Sequence, residues 1–403
     1  MPPKKRVATE ASKRAVAVAG WESVGSVFVK CFGDVRPGTR VLSFDFDDTL
    51  VTTKSGKTFA ANCDDWKYLF GDGMKETLAT CLGEYDKLVV FSNQAGMTKG
   101  KDLDVSKKND ILARLEAFAV DLGLPLQIFV SSAKDEFRKP NPNMWDLMVE
   151  KYNGGAVPVL EKCLFVGDAA GRPAVPGVRK GKKDFSCSDR KFALNVHIPF
   201  KTPEEFFLNG TPEPFELDAP ALDSLPKKSE GAVMCEELGD NFVAVGQEMV
   251  ILVGFPASGK STFCSKYLAP RGYVVVNRDT LKTPAKCMSA CQAALAAGRS
   301  VVIDNTNPSK AARKAFIDAA KARNVPVRCF RFDVPEDMAV HLNYFRERVD
   351  PKSPHVPQVG YNMYKKNFEE PVLSEGFASI HHLKFVLDDF ASKDAEKSFF
   401  ILS

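Results

Sequence analysis

The sequence contains no CxxC pair and no Cys/His spacing typical of a zinc module, although it has ten cysteines. Closely spaced cysteines are the usual mark of disulfide scaffolds and of zinc-stabilised modules. Without them, neither class accounts for the fold. The pattern instead predicts reduced thiols in an intracellular protein, with most cysteines acting as small core residues.

Long apolar runs are also absent. No stretch has membrane-spanning length, and the N-terminus has no signal-peptide hydrophobic segment. We therefore expect a soluble intracellular protein with no membrane partner. The formal net charge is only +4, so the overall charge argues neither for nor against a polyanionic partner. Basic residues at positions 4–6, 13 and 14 fit either a nuclear localisation signal or a solvated tail.

The chain length of 403 residues predicts two domains. Residues 209–246 are polar and turn-rich, which is typical of a linker, and they include Pro212, Pro214, Pro220 and Pro226. The predicted organisation is a basic tail at 1–20, a first domain at 21–208, a linker at 209–246 and a second domain at 247–403.

The stretch 41–51, VLSFDFDDTLV, places Asp45 and Asp47 two residues apart after an apolar run. In an extended segment both carboxylates would leave the strand end on the same side. Together they could bind Mg²⁺, with Asp45 attacking a phosphorus atom while Asp47 moves the proton. Alone, the DxDxT pattern fits an acidic turn after a buried strand equally well.

Alternating apolar runs and helical patterns then predict a parallel sheet. Strands are expected at 88–91, 126–131 and 163–166, with helices at 74–82, 105–122 and 144–152. Ligands of such sheets bind beyond the carboxyl ends of the strands. The polar residues that fall there are Asp45, Asp47, Ser92, Asn93, Lys139 and Asp168.

These residues supply carboxylates for a metal and for attack, a hydroxyl and an amide for phosphate oxygens, and a lysine for developing charge. Their order resembles the haloacid-dehalogenase superfamily of phosphatases. No large cap domain is encoded between the strands, which predicts a site open to a polymer end. The following basic stretch, Arg179–Lys183, fits a nucleic-acid track or a solvated loop.

The second domain begins with an apolar strand, 248–253, followed by GFPASGKST at 254–262. This is the GxxxxGK[ST] pattern in its strand-to-helix context. The loop amides would surround phosphates, Lys260 would contact the outer ones and Ser261 would bind Mg²⁺.

Two further acids end predicted strands of this domain. Asp279 is a candidate base for an incoming hydroxyl, and Asp304 is a candidate for positioning Mg²⁺, although either fits a helix cap. Arg346 and Arg348 could contribute positive charge from a lid, or could end a solvated helix.

The pairing of these two domains resembles the bifunctional polynucleotide kinase 3'-phosphatases of animals and plants. The resemblance runs from about residue 21 to the C-terminus. The motifs that carry it are SNQAG, FRKPNPNMWD, VGDAAGR, KKDFSCSDR, GFPASGKST, VNRDTL and IDNTNP. It implies an α/β fold, with a haloacid-dehalogenase-like phosphatase domain followed by a P-loop kinase domain.

By that resemblance the chain removes 3'-phosphates and phosphorylates 5'-hydroxyls at DNA ends, with Mg²⁺ and ATP, as a nuclear repair enzyme. The mitochondrion and the cytoplasm are alternative compartments, and we expect a monomer. The catalytic residues are Asp45, Asp47, Ser92, Lys139 and Asp279. The metal ligands are Asp45, Asp47, Asp168, Ser261 and Asp304. The ATP-binding residues are Gly254, Ser258, Gly259, Lys260, Ser261, Thr262 and Arg346. The substrate-binding residues are Thr49, Asn93, Gln94, Arg172, Lys183 and Arg278.

Two departures from the family accompany the resemblance. Asp48 occupies a position where the family usually has glycine. The sequence also begins almost at the phosphatase segment, so docking to repair scaffolds through a forkhead-associated domain is not expected.

Two alternative functions remain open. The same chemistries serve RNA-end repair, and no motif reports contact with a 2'-hydroxyl. A non-catalytic nucleic-acid-binding scaffold is disfavoured because the candidate catalytic residues of both domains are present.

Overall fold

The computed structural model describes residues 20–99, 102–175, 182–350 and 352–403. The chain divides into two compact units after Leu217, a position inside the predicted linker. Each unit contains a largely parallel sheet with helices, so the predicted α/β class is confirmed. Each is described by itself.

The first unit has a seven-stranded sheet and two short hairpins. Its strands are β1 (Glu22–Val24), β2 (Val27–Phe32), β3 (Val41–Phe44), β4 (Val51–Thr52), β5 (Lys67–Tyr68), β6 (Lys87–Asn93), β7 (Thr98–Lys99), β8 (Asp102–Leu103), β9 (Leu126–Ser131), β10 (Leu164–Val166) and β11 (Phe200–Lys201). Its helices are α1 (Gly73–Cys81), α2 (Val105–Leu122), α3 (Asn143–Tyr152), α4 (Ser188–Val196) and α5 (Pro203–Phe207).

The strand order of the sheet is β1-β2-β9-β6-β3-β10-β11. Strands β9, β6, β3, β10 and β11 run parallel, and β2 joins β9 antiparallel. The predicted strands at 88–91, 126–131 and 163–166 are confirmed as β6, β9 and β10. Strand β11 and helices α4 and α5 were not predicted.

Both faces of this sheet are covered by hydrophobic side chains. The central strands are fully buried, as expected for parallel strands that lie between two layers of helices. The carboxyl ends of β3, β6, β9 and β10 are therefore held at one rigid edge, which positions the polar residues that follow them.

Helix α2 shows why the local sequence folds as it does. The Asp104 side chain accepts a hydrogen bond from the Lys107 N–H at the first turn, and Gly123 ends the helix at φ +68°. Its buried face includes Leu112, Leu115 and Phe118, spaced three residues apart, and also Arg114. A charged residue on this apolar face requires a specific partner.

The second unit contains a five-stranded parallel sheet in the order β13-β14-β12-β15-β16. Its strands are β12 (Met249–Val253), β13 (Val274–Val276), β14 (Val301–Ile303), β15 (Val327–Asp333) and β16 (Ser379–Lys384). Its helices are α6 (Lys260–Phe263, continued by a π-helical turn to Leu268), α7 (Arg278–Leu281), α8 (Pro284–Ala296), α9 (Lys310–Lys321), α10 (Glu336–Val349), α11 (Gln358–Asn367) and α12 (Lys393–Phe400).

Much of the predicted linker packs onto the second unit. Leu222, Cys235 and Phe242 are buried, and the backbone N–H of Lys384 donates to the Met234 carbonyl (2.9 Å). Residues 209–246 are thus polar in composition, but part of this segment is packed against the second unit.

The ten cysteines are all free thiols, and seven of them are buried, which confirms the prediction that most are core residues. Among the described residues, no helix is both long enough and apolar enough to cross a membrane.

Candidate active sites

Lys139 lies at the centre of the first candidate site. It follows β9, and its Nζ contacts Asp45 Oδ1 at 2.6 Å and Asp189 Oδ1 at 2.7 Å, with only 1% of the side chain exposed. Asp45 follows β3 and Asp189 lies in the first turn of α4. A buried lysine between two carboxylates is compensated for the cost of removing its charge from water.

Asp168, which follows β10, completes a group of carboxylates. Oxygen atoms of Asp45, Asp168 and Asp189 lie within 4.8 Å of one another. Burial, with the charge of Asp189, raises the pKa of Asp45 to about 7 against the opposing effect of Lys139. Burial and the two neighbouring acids also raise the pKa of Asp168 well above its usual value. The lysine alone therefore does not balance the negative charge of the cluster.

This donor set fits a hard divalent cation. All of its ligand atoms are carboxylate oxygens, which Mg²⁺ prefers, and excess buried negative charge favours a bound cation. Asp45 and Asp168 were predicted as metal ligands, whereas Asp189 was not. The available signal for Asp189 was its position in the motif KKDFSCSDR.

Asp47, a predicted metal ligand, lies outside this group of three carboxylates. Its two carboxylate oxygens accept hydrogen bonds from Arg114 Nη1 and Nη2 (2.7 and 3.1 Å), and Oδ2 also accepts one from Gln94 Nε2 (2.6 Å). The Arg114 side chain is only 6% exposed, whereas that of Asp47 is 44% exposed. Arg114 thus holds a solvent-accessible carboxylate in one orientation. Sequence reasoning missed Arg114, although an arginine on the buried face of α2 was a signal.

The remaining predicted residues of the strand ends mostly bind one another. Ser92 Oγ accepts a hydrogen bond from Gln94 Nε2 (2.9 Å), and Asn93 exchanges hydrogen bonds with the Lys139 backbone (2.9 and 3.1 Å). Thr49 is fully buried, and its Oγ1 accepts from the Asp168 N–H (3.0 Å). Asn93 and Thr49 were predicted to bind substrate. In the structure they bind the Lys139 backbone and the Asp168 N–H, and so orient those two residues.

Arg172, which was predicted to bind substrate, is buried among acidic side chains. Its guanidinium is 3% exposed and forms ion pairs with Asp184 (2.9 Å) and Glu204 (2.8 Å). It therefore holds the loop after β10 against α5. Lys183 is exposed, whereas Arg179 and Lys180 of the predicted basic track lie outside the described residues.

Asp48 adopts a left-handed backbone conformation, with φ +53°. Side chains with a Cβ atom are strained there, whereas glycine is not. Asp48 Oδ1 accepts a hydrogen bond from Thr52 Oγ1 (3.1 Å), which compensates part of the strain.

We expect Asp48→Gly to be more stable than Asp48→Ala by about 1 kcal/mol, because both variants lose the Thr52 contact but only alanine keeps the strained backbone. Urea unfolding of the two variants measures the difference in the free energy of unfolding. An alanine variant as stable as the glycine variant would contradict the left-handed geometry.

The second candidate site is the loop between β12 and α6. Gly259 has φ +89°, and a Cβ atom at Gly254 would lie 2.9 Å from Phe332 Cβ, so both positions require glycine. Lys260 Nζ donates to the carbonyls of Gly254 (3.0 Å) and Phe255 and to Ser258 Oγ (3.2 Å). Burial lowers the pKa of Lys260 to about 8. The Lys260 ammonium group thus binds acceptors of its own loop. Phosphate oxygens of a bound nucleotide would replace the carbonyls as its hydrogen-bond acceptors.

Asp304 ends β14 beside this loop and is 4% exposed. Its Oδ2 accepts hydrogen bonds from Ser261 Oγ (2.7 Å) and Asn277 Nδ2 (3.0 Å). Its Oδ1 is buried and has no hydrogen-bond partner among the described residues. A hydroxyl and a carboxylate with a free oxygen fit a Mg²⁺ site, so the two predicted ligands Ser261 and Asp304 are brought together.

The other predicted residues of this unit have different surroundings. Asp279 and Arg278 are exposed in the short helix α7, and Thr262 is exposed in α6. Arg346 donates to Asn343 Oδ1 (3.0 Å) and to the Pro354 carbonyl (2.6 Å). Arg348, an alternative lid residue, instead binds the carbonyls of Ser398 and Ile401 (2.8 and 3.0 Å) and therefore anchors the C-terminal segment.

Comparison with known proteins agrees with this two-site arrangement. Residues 40–207 match the family model described as polynucleotide kinase 3 phosphatase, and residues 282–371 match an AAA domain model. The bifunctional polynucleotide phosphatase/kinase of Schizosaccharomyces pombe is 34% identical over 367 residues, which cover 91% of this chain and 84% of that protein. The chain belongs to the bifunctional polynucleotide phosphatase/kinase family.

Other members and relatives match the chain to different extents. A protein of Acanthamoeba polyphaga mimivirus, provisionally described as a bifunctional polynucleotide phosphatase/kinase, is 36% identical. The match covers 87% of this chain and 85% of the viral protein. The polynucleotide 3'-phosphatase of Saccharomyces cerevisiae is 28% identical over 42% of this chain and 88% of its own length. The two bifunctional relatives therefore match both units of this chain, whereas the Saccharomyces cerevisiae phosphatase matches less than half of it.

Proposed function

We propose that this phosphatase/kinase repairs DNA ends by removing 3'-phosphates and by phosphorylating 5'-hydroxyls with ATP. The observation that carries the proposal is the presence of two separate constellations, one in each unit, in a chain similar to the fission yeast enzyme along 91% of its length.

In the phosphatase unit, an Asp45 carboxylate oxygen attacks phosphorus and forms an aspartyl phosphate as the bond to the 3' oxygen breaks. Asp47 donates its proton to that oxygen, which leaves as the 3'-hydroxyl. Asp47 then takes a proton from a water molecule, which attacks phosphorus, releases inorganic phosphate and restores Asp45. The exposure of Asp47 suits this exchange with solvent and substrate.

Lys139 and the acids around it prepare the nucleophile. The ammonium group, 2.6 Å from Asp45 Oδ1, favours the ionised carboxylate and neutralises charge on the phosphoryl group. Asp189 holds Lys139 from the other side. Asp45, Asp168 and Asp189 would hold Mg²⁺, which, when bound, neutralises charge on the phosphate and favours ionised Asp45.

In the kinase unit, Lys260 binds the outer phosphates of ATP, and Ser261 with Asp304 would hold the accompanying Mg²⁺. The 5'-hydroxyl oxygen attacks the γ-phosphorus, ADP leaves, and the hydroxyl proton passes to Asp279. The exposure of Asp279 supports this role, because a polymer end must reach the carboxylate from solvent.

Exposed aromatic and basic residues support a polymer substrate for the phosphatase unit. Phe59 and Phe185 are 84% and 102% exposed, and Phe185 follows the exposed Lys183. Exposed rings beside basic residues are a common means of stacking unpaired bases while holding the backbone. We also propose a nuclear location, which the basic residues at 4–6 support.

The proposal is tested with matched DNA and RNA oligonucleotides that carry a 3'-phosphate and a 5'-hydroxyl, with Mg²⁺, with and without ATP. We expect phosphate release from DNA in both conditions and 5' phosphorylation only with ATP. Preference for RNA in both reactions would identify an RNA-end repair enzyme, and inactivity on both polymers would identify a non-catalytic scaffold.

The role of Arg114 as a positioning residue gives a further prediction. Arg114→Ala frees the Asp47 carboxylate, so we expect kcat for 3'-phosphate removal to fall on the order of 10²-fold, with a smaller change in KM and an altered pH profile. Arg114→Lys keeps the positive charge but cannot form the bidentate hydrogen bonds to Asp47. It should therefore be more active than Arg114→Ala and less active than the wild type. Equal kcat values for wild type and a folded Arg114→Ala variant would contradict this role.

A further inference from the structure

A group of possible metal ligands lies in the second unit, outside the P-loop site. Donor atoms of Cys235, Glu237 and His381 lie within 4.8 Å of one another. Cys235 is buried, His381 is half-buried and Glu237 is exposed. Glu237 and His381 are separated by 144 positions in the sequence. A motif with short, fixed spacing therefore could not reveal this cluster.

Two segments bring these side chains together. His381 lies in the edge strand β16, which pairs with β15. The segment 234–237 is fixed beside β16, since the Lys384 N–H donates to the Met234 carbonyl (2.9 Å) and Lys384 Nζ forms an ion pair with Glu236 (3.4 Å). The cluster therefore joins the packed part of the predicted linker to the sheet.

The histidine is oriented for ligation by its other contacts. Its ring packs edge-on against Phe330 (5.8 Å between centroids), Nδ1 lies 2.8 Å from Glu237 Oε2, and Nε2 lies 2.8 Å from Ser379 Oγ. With Nδ1 bound to a metal, Nε2–H would donate to Ser379 Oγ. A polar partner on the second ring nitrogen is the usual support of a histidine ligand.

The donor set selects the kind of metal. A thiolate, an imidazole and a carboxylate together favour Zn²⁺ or a similar transition-metal ion, whereas Mg²⁺ prefers oxygen ligands alone. Bonds of about 2.0–2.3 Å to Zn²⁺ are compatible with donor atoms this close, after small side-chain rotations. The cluster thus differs in chemistry from the carboxylate group around Asp45.

We propose that Cys235, Glu237 and His381 bind one Zn²⁺ ion, with water as the fourth ligand, and that this ion fastens segment 234–237 to strand β16. The site shares no residue with either catalytic centre and has a structural role.

Cobalt(II) titration of the full chain tests this site, because Co²⁺ replaces Zn²⁺ and gives a thiolate-to-cobalt charge-transfer band. We expect one equivalent of Co²⁺ to produce the band and Zn²⁺ to abolish it. Cys235→Ser and His381→Gln should lose the band. Two matched controls should retain it: Cys31→Ser, at an exposed thiol, and His382→Gln, at the exposed neighbour that contacts Asp333 (2.9 Å).

Thermal unfolding provides the second measurement. Zn²⁺ should raise the Tm of the wild type and of both control variants, but not that of Cys235→Ser. If Cys235→Ser fails to fold, Glu237→Gln changes an exposed residue and should still lower the affinity for Co²⁺. Absence of the band in the wild type, or its persistence in Cys235→Ser, would overturn the proposal.

Discussion

Asp45→Asn is expected to reduce 3'-phosphate removal on the order of 10⁴-fold or more while 5' phosphorylation continues at the wild-type rate. An amide of the same size cannot form the aspartyl phosphate. The fold should survive, since Asp45 lies near two other carboxylates, and burial with the charge of Asp189 raises its pKa to about 7. Removing one of these charges lessens repulsion within the cluster.

The measurement uses one oligonucleotide with a 3'-phosphate and a 5'-hydroxyl, so both products are counted in the same reaction. Asp48→Asn is the matched control, because Asp48 is the adjacent acid but contacts Thr52 rather than Lys139. We expect this control to retain both activities. Loss of both activities in a folded Asp45→Asn protein would contradict the model of two independent sites.

Residues at strand ends were predictable because the sheet dictates their position. Once β3, β9 and β10 run parallel in one sheet, Asp45, Lys139 and Asp168 must approach the same edge. The P-loop was predictable for a similar reason, since its glycines and Lys260 lie between a buried strand and a helix. In both cases short-range sequence determines the backbone that positions the side chain.

Residues positioned by helix packing were not predictable in the same way. Arg114 and Asp189 reach the first site only because helices α2 and α4 pack on the sheet in particular orientations. Sequence periodicity identifies the buried face of a helix, but it does not identify the residues that this face contacts. Arg172 illustrates a different difficulty. A basic residue near an acidic site fits a substrate contact or an ion pair equally well, and only the structure shows Asp184 and Glu204 beside it.

The role of Asp47 also depends on its partners. The DxDxT pattern predicted two carboxylates on the same side of a strand end. In the structure the Asp47 carboxylate binds Arg114 and Gln94, whereas that of Asp45 binds Lys139. The two acids consequently have different environments. Asp45 is 13% exposed beside a lysine, whereas Asp47 is 44% exposed beside an arginine, which suits a nucleophile and a proton carrier respectively.

Lys260→Ala is expected to lower 5' phosphorylation on the order of 10²–10³-fold and to leave 3'-phosphate removal unchanged, with or without ATP. Lys260 is the buried cation of the P-loop, and its Nζ donates hydrogen bonds to the Gly254 carbonyl (3.0 Å) and to Ser258 Oγ (3.2 Å). ATP phosphates would take the place of these acceptors. The alanine variant loses that charge, so the phosphoryl group is neither held nor neutralised during transfer.

The matched control for this prediction is Lys266→Ala. Lys266 is an exposed lysine six residues further along the same helical segment, and it is paired with Asp388 rather than directed at the loop. Its loss should leave kinase activity near the wild-type rate. Kinase rates and the KM for ATP are measured for both variants on a 5'-hydroxyl oligonucleotide, alongside release of 3'-phosphate. If Lys260→Ala also abolished 3'-phosphate removal while remaining folded, ATP binding and dephosphorylation would be coupled. The assignment of Lys260 to the kinase reaction alone would then be wrong, because the P-loop would be acting on the chemistry of both units.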